Sequence, residues 1–245
     1  MLDLITPEWP APHWIKAYAT TRIGGFSHAS YNSLNLATHV GDNQDDVSKN
    51  RQLLKKNLHL KKPITWLEQV HGNTAISADH PPSSLAADAI YSKTAQTVCA
   101  VQTADCLPLL VCSFSSYCVA AIHAGWKGLS NGIIETTIDA LALPPSDILV
   151  WLGPAIGPQA FIVGKEVFQS FLTKDRAAES AFQPIENNLW QANLYELAKQ
   201  RLNKRGISSI YGGDYCTFSD KLRFFSYRRD HITGRMLSLI WINLP

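Results

Sequence analysis

Two neighbouring apolar segments constrain the fold of this chain more than any other feature. The segments 107–114 and 118–122 are the most apolar strand-like stretches of the sequence. A strand with one face in water alternates apolar and polar residues, whereas a strand buried on both faces does not. Many strand-like segments also follow one another without a helix between them. The pattern therefore favours an α+β fold, with sheets covered by helices, over a doubly wound sheet.

The other predicted elements follow from periodicity and turn residues. A helix is expected from a cap at Asp45 or Asp46 through Asn57, and another from the capping pair Asn193 and Glu196 to Gly206. Two further helices are predicted at 129–141 and 167–172. The predicted strands, besides the two above, are 17–21, 64–70, 89–91, 97–102, 148–152, 207–211, 224–227 and 236–242.

Composition limits the domain organisation and the partners. Of 245 residues, 46% are hydrophobic and 17% are charged, which excludes an intrinsically disordered protein. We find no repeat and no linker-like shift, so we expect one domain over 1–245. A net charge of +2 argues against nucleic acid as the main partner, because phosphate backbones select strongly basic faces.

Membrane and secretion signals are not found. No apolar run approaches the roughly 18 residues that a spanning helix needs. The first residues do not lead from a basic stretch into an apolar one, so we expect a cytoplasmic protein without a signal peptide. The five cysteines are then expected to be reduced, with Cys99, Cys112 and Cys118 as buried thiols.

Three possible metal ligands share one feature of the pattern. His71, Cys106 and His123 each lie where an apolar strand breaks into a loop, at separations of 35 and 17 residues that no zinc finger shows. Loops at strand ends gather at one edge of a sheet, so the three side chains can meet. Zinc binds imidazole nitrogen and thiolate sulfur, and three protein ligands leave one position open for water. Ordinary polar residues at strand ends would give the same pattern.

Two other polar residues are weaker candidates for functional roles. Lys127 lies between Gly125 and Gly128, where open N–H groups and a positive charge suit an anion, although a plain strand–helix turn looks the same. Asp105 precedes Cys106 and is a candidate acid or base, or a residue that orients the ligand.

Several blocks resemble the YfiH-like family, whose members have been called laccase-domain or multicopper polyphenol oxidase proteins, purine nucleoside phosphorylases and peptidoglycan editing factors. They extend from about Arg22 to Ile242, over nearly the whole chain. The blocks are YNSLNL at 31–36, HVGD at 39–42, NR at 50–51, QVHG at 69–72, TADC at 103–106 with Pro108, HAGW at 123–126, GP at 153–154, IGP at 156–158, RRD at 228–230 and TGRM at 233–236.

This resemblance implies a fold, a metal and a reaction. The fold is a single α+β domain of layered mixed β-sheets flanked by helices, and the zinc ligands fall on His71, Cys106 and His123. The implied activities are phosphorolysis of adenosine, inosine, guanosine and methylthioadenosine, and deamination of adenosine. The implied partners are therefore purine nucleosides and phosphate, with no nucleic acid and no membrane.

Within that reaction, three residues are candidates for substrate contact. Arg51 and Arg229 suit phosphate or the sugar, and Asn35 suits the ribose or the base. Each has an ordinary alternative: a helix-surface charge, a salt bridge between two strands, and a turn-forming side chain, respectively. A metal with an open position lowers the pKa of bound water, which would suit attack at C6 of adenine.

Two other kinds of site stay open. Cys106 is a possible nucleophile of a cysteine hydrolase or amidase acting in peptidoglycan editing, with His123 or His71 as its base. A purely structural zinc site would need a fourth ligand, for which Cys112 is the nearest candidate. A copper oxidase is least favoured, because multicopper centres use many paired histidines and none of the eight histidines here is spaced by two from another.

The sequence departs from the family pattern at four positions. Ser30 replaces a common proline, Cys112 an aspartate, Ile162 a glutamate and His231 a glycine. None of them belongs to the ligand trio. Ile162 and His231 would alter substrate choice if they line the pocket.

Overall fold

The computed structural model describes residues 2–244, whose strands form three sheets. The strands are β1 Leu4–Ile5, β2 Ile15–Thr20, β3 Ala75–Ser77, β4 Ala89–Ser92, β5 Cys99–Thr103, β6 Leu107–Ser113, β7 Val119–Ala124, β8 Ile148–Leu152, β9 Ile162–Val163, β10 Phe182–Ile185, β11 Leu189–Ala192, β12 Ile210–Gly212 and β13 Met236–Ile242. The α-helices are α1 Gln44–Asn57, α2 Trp126–Ser130, α3 Ile133–Leu141, α4 Lys165–Leu172, α5 Leu194–Lys204 and α6 Tyr227–Asp230.

The central sheet has six strands in the order β12-β8-β6-β7-β4-β3. It is mixed, because β12 pairs with β8 and β3 with β4 in parallel, whereas the inner pairs are antiparallel. Strand β6 is buried at every position. Its side chains alternate between two cores: Leu109 and Val111 pack on the helix side, and Leu110 and Cys112 pack on the other. This burial on both faces explains the continuous apolar segment.

A four-stranded antiparallel sheet, β1-β2-β13-β5, covers one face of the central sheet. Helix α1 packs on its outer face, where Leu54 meets Leu237 and Leu239. Helices α3 and α5 cover the opposite face of the central sheet, and the small β10-β11-β9 sheet lies on the same side. The resulting order is helix, sheet, sheet, helix, which confirms the predicted α+β fold of layered mixed sheets.

Two predicted strands are wrong. The segment 64–70 forms no strand, and only Glu68 makes an isolated bridge, to Ala86. The segment 224–226 is irregular, and Tyr227 is the first residue of α6. Both were predicted from apolar content, which reports burial and not pairing: Phe224 and Phe225 are fully buried without joining a sheet.

Two helix predictions also need correction. The segment 129–141 is divided into α2 and α3, because Gly132 adopts a φ of +91° that interrupts the helix. Helix α1 is capped by Asn43, whose side chain accepts from the amides of Asp45 and Asp46. The predicted cap at the start of α5 is confirmed, because the Asn193 side chain accepts a hydrogen bond from the Glu196 amide. Within residues 2–244, no helix combines the length and apolarity needed to cross a bilayer.

Candidate metal and substrate site

His71, Cys106 and His123 meet at one end of the central sheet. Their ligand atoms all lie within 4.8 Å of one another, and Cys106 Sγ is 3.8 Å from His71 Nε2. The register explains two of the three: Pro108 of β6 is opposite His123 of β7, so Cys106, just before β6, lies beside the end of β7. His71 reaches them from the irregular segment before β3. The three side chains meet as predicted, although His71 does not follow a strand.

Asp88 holds both histidines in place. It is fully buried just before β4, and pairing of β4 with β7 places it next to His123, whose Nδ1 lies 2.7 Å from Asp88 Oδ1. The same carboxylate accepts from the amides of His71 at 3.0 Å and Gly72 at 2.6 Å. Because Asp88 engages Nδ1 of His123, the free Nε2 is left for a metal.

Asp105 fixes the connection that carries Cys106. This connection passes from β5 in the outer sheet to β6 in the central sheet, and Asp105 adopts a φ of +96° in it. Its carboxylate accepts from Thr217 Oγ1 and from the Arg228 amide, each at 2.6 Å. Asp105 thus joins the cysteine loop to two distant segments, a contact pattern that suits a positioning role.

The thiol of Cys106 and the ring of His123 favour their charged forms. Burial raises the pKa of Cys106, but the imidazoles of His123 and His71 outweigh it and lower the pKa to about 6. Burial lowers the pKa of His123, but the Cys106 thiolate and the Asp88 carboxylate raise it to about 9. By contrast, burial raises the pKa of Cys112 to about 12. Cys106 is thus set apart as a thiolate, the form in which cysteine binds metals.

The donor set fits a metal ion. Two imidazoles and one thiolate converge, the second nitrogen of His123 is held by a carboxylate, and the group is half open to solvent through His71 and Cys106. Three such ligands with an open side suit a tetrahedral metal that retains one free position. Within residues 2–244 the cluster has three members, and Cys112 lies instead in the core between the sheets. The geometry does not support a site closed by Cys112.

Gly125 supplies the space in which this cluster forms. A Cβ added there would lie 2.9 Å from His71 Cδ2 and 3.0 Å from Cys106 Sγ. Any side chain at this position would displace two of the three ligands. The glycine is therefore required by the close approach of β7 to the cluster.

We expect Gly125→Ala to weaken metal binding by roughly 10- to 100-fold, the range seen when groups that orient metal ligands are lost. Gly72→Ala is the matched control, because a Cβ there meets Asp88 Oδ2 at 3.4 Å and Val70 Cγ2 at 3.5 Å, which is ordinary contact. Competition with a coloured zinc chelator measures both affinities. Equal affinities in the two variants would contradict the requirement for space at Gly125.

Two adjoining cavities open beside the cluster. The first, of about 420 Å³, has many side chains with polar groups in its lining, and the second, of about 320 Å³, has more aromatic side chains. His71, Cys106, Ala104 and Tyr227 line both. The first is completed by His39, Leu67, Gln69, Gln102, Thr103, His123 and Arg235. The second is completed by Val70, Asp105, Trp126, Lys127, Ile156, Phe161 and Arg228.

The structure does not bring the three predicted substrate residues into these cavities. Asn35 is fully buried, and its amide contacts Ala37, Asp42 and the Arg235 amide. Arg51 donates to the Leu36 carbonyl and stacks 3.6 Å from the ring centroid of Trp66, in a separate groove.

Arg229 is occupied by structural contacts. Its guanidinium donates to Asp230 and to the carbonyls of Thr217, Phe218 and Phe224. These contacts tie α6 to the preceding turn. Contact of Asn35, Arg51 or Arg229 with substrate remains a prediction that this geometry does not favour.

Sequence reasoning missed Asp88, Arg235 and His39. Asp88 lies outside every motif, and only the pairing of β4 with β7 reveals its role. Arg235 and His39 belong to the TGRM and HVGD blocks, so a signal existed without an indication of where the side chains would lie. The departures at Ile162 and His231 are outside both cavities, although Ile162 accepts from Arg228 and His231 packs on Tyr227.

Comparison with known proteins agrees with this architecture. The family model described as multi-copper polyphenol oxidoreductase laccase matches residues 16–243. The chain belongs to this YfiH-like, laccase-type family. A Shigella flexneri relative named purine nucleoside phosphorylase YfiH is 49% identical over 99% of this chain and 100% of its own. A Pseudomonas aeruginosa protein, also named a purine nucleoside phosphorylase, is 48% identical over 97% and 98%.

Solved structures of the YfiH-like family share the fold. A Neisseria meningitidis protein of the DUF152 family superposes with a TM-score of 0.95 at 44% identity, over 98% of this chain and 99% of that one. YlmD from Geobacillus stearothermophilus gives a TM-score of 0.87 at 31% identity, over 96% and 94%. The layered arrangement is therefore a property of the family.

Proposed function

We propose that this chain is a zinc-dependent purine nucleoside phosphorylase that also deaminates adenosine. The proposed phosphorolysis substrates are adenosine, inosine, guanosine and methylthioadenosine. The observation that carries the proposal is the convergence of His71, Cys106 and His123 at the junction of two cavities large enough for a small ligand. The names of the Shigella and Pseudomonas relatives support the phosphorylase class.

The residues of the cluster define what the site can do. Asp88 holds His123 in one tautomer, and Gln69 pairs with the backbone of Gln102, which stiffens the wall of the first cavity. Bound zinc would supply Lewis-acid activation of water for deamination at C6. A nucleoside placed between the cavities would have its base near the aromatic side chains and its sugar near the polar ones.

Phosphorolysis makes a different demand on the same cleft. A phosphate oxygen forms a bond to C1′ while the bond from C1′ to the purine nitrogen breaks. The electron pair of that bond goes to the purine, which takes up a proton, and the products are ribose 1-phosphate and the free base. The protein must therefore hold an anion against the sugar and exclude competing water.

A second candidate function rests on the charge state of Cys106. The lowered pKa of its thiol and the raised pKa of His123 describe a thiolate–imidazolium pair, which is also the arrangement of a cysteine hydrolase. An amidase acting on peptidoglycan would use Cys106 as its nucleophile. Zinc would compete for the same thiolate, so the two mechanisms exclude each other in one active site.

The two proposed activities should respond differently to phosphate. We expect release of base from inosine to require phosphate or arsenate, and conversion of adenosine to inosine to proceed without either. The reason is that phosphate is the nucleophile at C1′, whereas water is the nucleophile at C6. Chromatographic separation of products, on protein of measured metal content, distinguishes them. Release of base without phosphate would instead indicate a hydrolase.

A further inference from the structure

We propose that Arg235, together with His39, forms the phosphate subsite of this enzyme, in the first cavity beside the cysteine–histidine cluster. The inference rests on the proposed phosphorylase function and places the phosphate substrate in the first cavity. The nucleoside base is then left with the second cavity, where Trp126 and Phe161 offer aromatic surface.

The guanidinium of Arg235 uses only part of its hydrogen-bond donors within the described residues. One terminal nitrogen, Nη1, donates to the carbonyls of Thr233 and Gly234, each at 3.0 Å. Within residues 2–244, Nε and Nη2 make no hydrogen bond to the protein, and no carboxylate lies within ion-pair distance of the guanidinium. Two free donors in the fixed fork of a guanidinium match two oxygens of one phosphate.

The other two arginines near the cleft have different positions and contacts. Arg228 donates to the Ile162 carbonyl at 2.8 Å. Arg229 is paired with Asp230 and with three carbonyls. In the described part of the chain neither Arg228 nor Arg235 has a carboxylate within ion-pair distance, but Arg228 lines the second cavity and Arg235 lines the first. Arg235 is therefore the arginine that brings its charge to the first cavity.

Arg235 supplies a positive charge to the first cavity, whose lining includes no aspartate or glutamate. Burial and the charges of Arg235 and Arg51 lower the pKa of His39, so its imidazole is a neutral hydrogen-bonding group. A guanidinium in a cleft without carboxylates attracts anions. The cavity is also in contact with the cluster, so a phosphate held there lies next to any nucleoside bound across the cluster.

Arg235 is positioned before any ligand binds. Its backbone amide donates to the buried Asn35 Oδ1 at 3.0 Å, and its Nη1 contacts fold the side chain back on its own turn. The side chain is partly buried, so little conformational freedom is lost on binding. This gives Asn35 a positioning role behind the cavity in place of direct substrate contact.

The decisive variant is Arg235→Gln, which removes the charge and the fork. We expect the KM for phosphate in inosine cleavage to rise by roughly 10- to 100-fold, since hydrogen bonds to charged groups are lost. Adenosine deamination, which uses no phosphate, should stay within about twofold of wild type, and so should the metal content. Arg235→Lys keeps the charge but not the fork and should recover part of the KM effect.

A measurement independent of turnover tests the same site. Inorganic phosphate should raise the melting temperature of the wild-type protein and should have a much smaller effect on Arg235→Gln. His39→Gln, at an exposed position, should fold normally and give a smaller rise in the phosphate KM. Arg176→Gln, an exposed arginine on a distant 3₁₀ helix, is the matched control and should behave as wild type.

The outcomes separate the subsite from the function. An unchanged phosphate KM and an unchanged thermal shift in Arg235→Gln would overturn the subsite while leaving the phosphorylase intact. A thermal shift that depends on Arg235, in a protein that never cleaves inosine with phosphate, would support the anion site and overturn the proposed function. Parallel loss of deamination and metal in Arg235→Gln would show a structural role and would also overturn the subsite.

Discussion

Cys106→Ala is expected to lose bound metal and both nucleoside activities together. Its thiolate is one of three converging ligands, and two imidazoles alone leave the ion weakly held. We expect activity to fall by at least about 10³-fold, equivalent to ~4 kcal/mol of transition-state stabilisation. Metal analysis and the inosine and adenosine assays are made on the same preparation, with circular dichroism to confirm the fold.

Cys112→Ala is the matched control for that experiment. Cys106 lies just before β6 and Cys112 lies within it. Cys112 is fully buried between the two large sheets, and burial raises the pKa of its thiol to about 12. The variant should keep its metal and most of its activity, at a cost of about 1 kcal/mol in stability. Metal loss from Cys112→Ala comparable to that from Cys106→Ala would contradict the three-ligand site.

The same pair of variants separates zinc catalysis from a cysteine nucleophile. If Cys106 attacks substrate, chelation should leave the protein active, and an electrophilic substrate analogue should label Cys106 covalently. If zinc is required, chelation should abolish activity and added zinc should restore it. Activity that survives complete, verified removal of metal would refute the zinc mechanism, even if the site binds zinc in crystals.

Asp88→Asn is expected to have the second-largest effect. The Asp88 carboxylate accepts from His123 Nδ1 and from the amides of His71 and Gly72. An asparagine NH₂ turned toward His123 would require Nδ1 to accept, which places the proton on Nε2, the nitrogen left for the metal. We expect metal affinity to fall by about 10- to 100-fold.

The change also costs stability, because Asp88 is fully buried and one of its acceptor oxygens is lost. Breaking a buried ion pair typically destabilises by about 3–5 kcal/mol, and the neutral replacement should lie toward the lower end. Asp79→Asn is the control: this carboxylate accepts from Ser92 Oγ and the Lys93 amide, outside the cluster. Denaturant unfolding and zinc competition are measured on both variants. Equal losses of stability and of zinc affinity in Asp88→Asn and Asp79→Asn would contradict the role of Asp88.

Local patterns were sufficient for features that depend on neighbouring residues. The continuous apolar segments at β6 and β7 required cover on both faces, and the structure provides it with a sheet on one side and helices on the other. The capping pair at Asn193 and the strand at 148–152 were also predicted, because caps and short buried strands are encoded within a few residues. The same local reasoning failed at 64–70 and 224–227, where burial occurs without strand pairing.

The partners of the candidate ligands were decided only by the tertiary structure. Asp88 reaches His123 through the register of β4 against β7, and Asp105 reaches Thr217 across 112 residues of chain. No local pattern specifies such pairings, because strand register and sheet packing are set by the whole core.

The sequence also does not show which arginine side chains are free to bind a ligand. By itself, the sequence determined that the chain forms covered sheets, and it identified two histidines and a cysteine as candidate ligands at predicted strand ends. It could not show that the guanidinium of Arg229 is fully engaged in hydrogen bonds to carbonyls and to Asp230. Nor could it show that Arg235, in the cavity, keeps N–H donors without a protein partner. Both arginines lie in blocks that resemble the family pattern, and what distinguishes them is the carbonyl and carboxylate oxygens that the segment 217–230 places around Arg229. The irregular backbone before α6 positions those oxygens, and no periodic sequence pattern specifies its path. Only the folded chain therefore decides which charge remains for a ligand.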